Sequence, residues 1–170
     1  MRDHEIVLEL HDSMAIVQYL VAQYPGPLSH TNNELAARTN MYWGWVQDYY
    51  SFVLSPFHDI ITGHNEVFWR NLRLTDSLAD GGRETGVANL TTLHNKRFEY
   101  LERHLVDTKA GPFLTGSDCS YADIFLYTCV RAVEETAGFG ILRDVCNGKP
   151  FSEFKIVSKI ADSVGEIEQV

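Results

Sequence analysis

The chain has 170 residues, of which 45% are hydrophobic and 22% charged, so the composition indicates one ordinary domain with a real core and excludes wholesale disorder. The formal net charge of −9 argues against nucleic acid or an anionic membrane as the main partner, because both require clustered lysine and arginine. There is no apolar run of membrane-spanning length and no secretory signal pattern. The three cysteines lack a C-x-x-C motif, which predicts a reducing, cytoplasmic location.

The first third of the chain predicts a short strand followed by helices. Residues 5–10 are rich in Ile, Val and Leu and predict the strand. Residues 13–24 predict a helix that Pro25-Gly26-Pro27 ends. Thr31 and Glu34 form a capping-box pattern that opens a long aromatic-rich helix, and Pro56 is expected to kink or end that helix.

The remaining two thirds predict only helices, over residues 65–78, 83–106, about 120–135 and 151–164. The third of these begins with Ser120-Tyr-Ala-Asp123, which is a capping box. We therefore expect Ser120 and Asp123 to stabilise the fold and to have no chemical role. The predicted fold class is all-α behind a single strand.

Asp12 and Ser13 stand together at the start of the first predicted helix, and two readings are open. Both residue types cap helices by binding the first free N–H groups. A helix N-terminus with an exposed hydroxyl is also a favourable site for a carboxylate.

The histidines do not predict a metal site. Neither His58 with His64 nor His94 with His104 has the i, i+4 spacing or the neighbouring acid that zinc sites use. We expect no metal.

Two separated stretches together resemble the cytosolic glutathione transferases, with sigma-like classes nearest. "LELHDSMAIVQYLVAQYP" resembles the acid-Ser-x-Ala-Ile-x-x-Tyr-Leu segment that ends their thioredoxin-like domain. "GPFLTGSDCSYADIFLYTCV" resembles their helical C-terminal domain, in which Phe-Leu-x-Gly precedes Ser/Thr-x-Ala-Asp. The tail "FSEFKIVSKIADSVGEI" also resembles the last helices of that domain.

The resemblance implies a fold and its boundaries. Residues 26–170 would form the all-α glutathione transferase C-terminal helical bundle. Residues 1–25 would be a remnant, one strand and one helix, of a thioredoxin-like domain. We expect residues 1–24 to pack only partly onto the bundle, through Ile16 and Leu20.

The resemblance also implies a glutathione site. Ser13 and the helix N-terminus would hold the γ-glutamyl carboxylate, and Asp12 would pair with the amino group. Asp48 aligns loosely with the acid that related classes send across a dimer interface to glutathione; an ordinary solvated helix acid is the other reading.

The aromatic residues of the long helix are candidates for a hydrophobic-substrate pocket. In the family this helix borders both that pocket and the dimer interface. Tyr42, Trp45 and Tyr49 are the residues we assign to the pocket.

The implied function is the conjugation of glutathione to hydrophobic electrophiles, as in detoxification, by a homodimer. The family places its catalytic Tyr, Ser or Cys upstream of the segment matched at Asp12, so we expect this chain to bind glutathione without turnover. The alternative is a non-catalytic protein–protein interaction module of the same fold, as in translation elongation factor and tRNA synthetase complexes.

Overall fold

The computed structural model describes residues 12–24, 26–29, 32–62, 82–108, 111–135 and 151–167. These residues contain no strand, and their α-helices are α1 (Ser13–Gln23), α2 (Asn33–Tyr49), α3 (Ser55–Thr62), α4 (Gly82–Asp107), α5 (Tyr121–Glu135) and α6 (Lys155–Ile167). A π-helical turn (Tyr50–Leu54) joins α2 to α3, and a 3-10 turn (Phe151–Glu153) precedes α6. The predicted all-α class is confirmed. The predicted strand at 5–10 and the predicted helix at 65–78 lie outside the described residues.

Helix α1 packs on the bundle by a different face from the predicted one. Met14, Val17 and Val21 contact the core, whereas Ile16 and Leu20 remain 37% and 46% exposed. The prediction that Ile16 and Leu20 attach this helix to the bundle is therefore wrong. Both sets of apolar residues recur at helical spacing, so spacing alone cannot say which face meets the bundle.

Helix α2 begins one residue later than the capping pattern predicts. The side-chain oxygen of Asn32 accepts a hydrogen bond from the backbone N–H of Glu34 at 2.8 Å, which makes Asn32 the cap in place of Thr31. The Glu34 carboxylate pairs with Arg38 at 2.7 Å, one helical turn further on. Asn is at least as good an N-cap as Thr, which explains why the helix begins at Asn33.

As predicted, the long helix is interrupted ahead of Pro56. The backbone N–H of Ser55 bonds the carbonyl of Tyr50, five residues back instead of four. Proline has no N–H, and in a regular α-helix its ring would meet the carbonyl of Phe52. The wider turn relieves this conflict, and α3 continues with Pro56 buried in its first turn.

The core forms where α5 packs against both α2 and α6. The indole of Trp43 meets the ring of Tyr121 edge-on at 5.6 Å, and Leu126 is fully buried between the helices. On α4, Phe98, Leu101 and Leu105 face inward and are at most 2% exposed. Each such side chain contributes about 2 kcal/mol through burial. None of the described helices combines the length and apolarity that a bilayer crossing requires.

The first turn of α6 is capped by a side chain from α4. One carboxylate oxygen of Glu102 accepts hydrogen bonds from the backbone N–H groups of Ile156 at 2.7 Å and Val157 at 3.1 Å. These groups have no partner within their own helix, and the negative charge faces the positive end of the helix. This contact ties the last helix to the middle of the bundle.

Candidate functional site

The N-terminus of α1 has the features of a helix cap and also those of a carboxylate-binding site, which are the two interpretations of Asp12 and Ser13. Oδ1 of Asp12 accepts a hydrogen bond from the backbone N–H of Ala15 at 2.9 Å, and the Asp12 carbonyl accepts one from Ile16 at 2.9 Å. Asp12 is therefore a true N-cap, and the cap engages one of its two carboxylate oxygens. Ser13 is exposed at the first helical position, beside the positive end of the helix dipole.

Asp48 lies on the exposed side of α2 and has a partner within the chain. Its Oδ2 is 3.8 Å from Nη1 of Arg97 on α4, and its side chain is 56% exposed. An ion pair this long and this exposed contributes little to stability. The role of Asp48 toward glutathione stays a prediction.

The three aromatic residues assigned to a substrate pocket lie in or against the core. Tyr42 is 4% exposed, and burial raises the pKa of its hydroxyl. Tyr49 is fully buried, and its hydroxyl lies 2.8 Å from Nδ1 of His94. The ring of Trp45 stacks on that of Tyr49, with centroids 6.3 Å apart. Their assignment to a pocket stays a prediction.

A cavity of about 240 Å³ opens between the π-turn, α3 and α5, and none of those three aromatic residues lines it. One wall consists of Tyr50, Leu54 and His58. The other wall consists of four α5 residues: Phe125, Thr128, Cys129 and Ala132. The α5 residues follow i, i+3, i+4, i+7 spacing, a signal that the sequence does contain but that reads as an ordinary core stripe.

The lining of this cavity is mostly apolar and partly aromatic. The rings of Tyr50 and Phe125 are tilted by 49° relative to each other, with centroids 6.1 Å apart. The hydroxyl of Thr128 donates to the carbonyl of Ile124 at 2.8 Å, so its proton is already engaged. Such a cavity suits a flat apolar molecule that needs few hydrogen bonds.

The described thiols are not activated nucleophiles. Burial raises the pKa of Cys129 to about 12, and burial with the nearby charge of Asp123 raises the pKa of Cys119 to about 11. The thiolate is the reactive form, so at neutral pH both groups are nearly all in the unreactive form. Cys146 lies outside the described residues.

Ser120 and Asp123 form one half of the predicted capping box, because the Asp123 carboxylate accepts from the Ser120 N–H, whereas the Asp123 N–H donates to the backbone carbonyl of Ser120 and not to its hydroxyl. Asp123 also binds the loop before α5. One of its carboxylate oxygens accepts from the backbone N–H and the hydroxyl of Ser120. The other oxygen accepts from the backbone N–H of Leu114 at 2.7 Å, which fixes the loop before the helix. Gly116, with φ of 132°, closes that loop by two backbone bonds to Phe113. The sequence analysis missed the bond to Leu114.

A comparison with protein families matches residues 83–170 to the family described as "Glutathione S-transferase, C-terminal domain". The chain belongs to this family. No curated protein and no solved structure gives a significant match.

The family match spans only part of the candidate sites. It contains α4 to α6, and with them the capping box and the α5 wall of the cavity. Asp12, Ser13 and Asp48 precede it, as do Tyr50, Leu54 and His58. The family match thus shows the transferase C-terminal domain over residues 83–170, and the predicted glutathione-binding residues lie outside the matched range. Within the described part of the chain, no three His, Cys, Asp or Glu side chains gather as metal ligands.

Proposed function

We propose that this chain supplies the substrate-binding surfaces of a glutathione transferase of a sigma-like class. The N-terminus of α1 would bind the γ-glutamyl end of glutathione, and the cavity beside α5 would bind a hydrophobic electrophile. The observation that carries the proposal is this apolar, aromatic-lined cavity within a chain of the transferase C-terminal domain family.

The glutathione part rests on charge and geometry at α1. A γ-glutamyl group carries a carboxylate and an ammonium side by side. The carboxylate gains from the helix N-terminus and from the Ser13 hydroxyl, while the ammonium gains from the acid at Asp12. The cap uses only Oδ1 of Asp12, so Oδ2 can accept from the ammonium.

The electrophile part rests on the cavity. Its aromatic rings offer faces and edges to a planar ligand, and its few polar groups impose little desolvation cost on an apolar one. In the proposed reaction the glutathione sulfur attacks the electrophile and displaces a leaving group or adds to a polarised double bond. The described thiols are unsuited to lower the pKa of that sulfur, so the chain's contribution is binding and orientation.

The proposal is tested by titrating the chain with glutathione, with γ-glutamylcysteine and with acetate. We expect both γ-linked peptides to bind more tightly than acetate, and Ser13→Ala to weaken their binding. Ser152→Ala changes another exposed serine far along the chain and serves as the control. Equal affinity for acetate and the peptides, or an effect of Ser13→Ala on melting temperature alone, would contradict the glutathione site.

One observation favours the second function, a non-catalytic interaction module. Ile16, Tyr19 and Leu20 leave an apolar surface on α1, each at least 37% exposed. Such a surface suits a protein partner, including a second copy of the chain. Sedimentation velocity of the wild type and of Leu20→Glu tests self-association, and binding to glutathione distinguishes the two functions.

A further inference from the structure

The cavity wall formed by Tyr50, Leu54 and His58 depends on the π-turn, and the π-turn precedes a buried proline. We propose that Pro56 is a positioning residue for the cavity: it favours the π-turn that brings Tyr50 and His58 onto one line facing α5, with Leu54 close beside that line. This inference rests on the proposed function only for the kind of ligand that the cavity binds. The arrangement of the cavity wall by the π-turn does not depend on any reaction.

The alignment follows from helix geometry. In an α-helix each residue turns by about 100°, so Leu54 would lie about 40° and His58 about 80° away from Tyr50 around the axis. In the wider π-turn each residue turns by about 80°, so Leu54 lies about 40° to the other side and His58 returns to the line of Tyr50. All three residues line the cavity, and the second arrangement holds them within an arc of about 40° instead of about 80°.

Pro56 disfavours the regular arrangement. An α-helix through this segment needs an N–H at position 56 that donates to the carbonyl of Phe52, and proline has none. In the observed turn Ser55 donates to Tyr50, which shifts the bonding by one residue before the proline is reached. The extra residue is accommodated on the outside, where Phe52 is 59% exposed.

The first test replaces Pro56 by alanine in the full chain. Through-hydrogen-bond NMR couplings of the Ser55 amide identify its acceptor directly, and methyl shifts of Leu54 and Thr128 report binding of 1,3-dinitrobenzene without glutathione. We expect the acceptor to move from Tyr50 to Ser51 and the affinity for dinitrobenzene to fall about tenfold, since the wall turns away.

Pro27→Ala is the matched control, because Pro27 lies in an exposed turn. It should change neither the Ser55 coupling nor dinitrobenzene binding. Retention of the Tyr50 acceptor in Pro56→Ala, with unchanged binding, would overturn the inference, because packing alone would then hold the π-turn.

The second test adds a deletion of Phe52 to Pro56→Ala. Removing one residue lets a continuous α-helix place His58 within about 20° of the line of Tyr50. We expect dinitrobenzene binding to recover most of the loss. A folded double variant that binds no better than Pro56→Ala contradicts the alignment argument. Failure of the chain to bind glutathione would count against the proposed function. It would not affect the Ser55 coupling or dinitrobenzene binding, because both are measured without glutathione.

Discussion

The hydroxyl of Tyr49 lies 2.8 Å from Nδ1 of His94, and both side chains are at most 2% exposed. The pair joins α2 to α4 in the centre of the bundle. Burial holds the pKa of the Tyr49 hydroxyl well above its usual range, so the tyrosine stays protonated, and the imidazole tautomer sets which of the two groups donates the hydrogen bond.

Tyr49→Phe should therefore destabilise the protein by about 1–2 kcal/mol, because it removes a buried hydrogen bond and keeps the ring. Urea denaturation at pH 7 measures the loss. Tyr100→Phe is the control, since Tyr100 is 56% exposed and stacks on His104. Equal stability of wild type and Tyr49→Phe would show that the pair contributes nothing to folding.

Asp123→Ala should destabilise the protein by about 3 kcal/mol, which is more than the loss of a cap. The change removes the acceptor for the buried N–H of Leu114 as well as both bonds from Ser120. Asp118→Ala, an exposed acid in the same loop, should cost under about 0.5 kcal/mol. Similar losses for the two variants in chemical denaturation would contradict the role of Asp123 in the loop.

Asp12→Asn distinguishes the role of Asp12 as the cap of α1 from its proposed role in binding glutathione. Asparagine keeps a side-chain oxygen for the N–H of Ala15, so the melting temperature should stay within about 1 °C. The negative charge is lost, so affinity for glutathione should fall by about tenfold. Calorimetric titration and thermal denaturation of the same samples measure both. A shift in melting temperature with unchanged affinity would leave Asp12 only as a cap. This prediction rests on the proposed function.

The buried thiol of Cys129 makes stability depend on alkaline pH. Its pKa is about 12 in the folded chain and near 9.0 when exposed, so unfolding releases a proton above pH 9 and the folded state loses stability as pH rises toward 12. At pH 10 the loss is about 1.4 kcal/mol relative to pH 7.

Urea denaturation at pH 7 and pH 10 under reducing conditions tests this dependence in wild type and in Cys129→Ala. The variant should lose less stability between the two pH values, although tyrosines and the other thiols add a shared decline. Identical pH dependence in both proteins would show that Cys129 is not buried from solvent.

Local patterns in the sequence were sufficient for most helix positions and for one cap. The contact between Ser120 and Asp123 depends on residues close in sequence, and the Asp123 carboxylate accepts from the Ser120 N–H as a capping box predicts. The bond from Asp123 to Leu114 spans nine residues through a loop, and no local pattern signals it.

The features that the sequence did not predict depend on contacts between helices that are distant in the chain. Helix α1 is apolar on two sides, so only the folded chain decides that Val17 faces the bundle and Leu20 does not. The cavity forms where the π-turn meets α5, two segments about 75 residues apart whose relative register no spacing rule gives. Tyr42 and Tyr49 are buried, which their spacing on an all-round aromatic helix does not predict, and their assignment to a pocket stays a prediction.

The Glu102 cap changes the expected hydrogen exchange at the start of α6. Amide protons in a first helical turn ordinarily exchange with solvent quickly, since that turn frays by itself. Here Ile156 and Val157 cannot release their N–H groups without separation from the α4 carboxylate. The deuterium uptake of these two amides should therefore follow the opening of the whole bundle. Although they lie in the first turn of a helix, their exchange would report on the cooperative unfolding of the bundle.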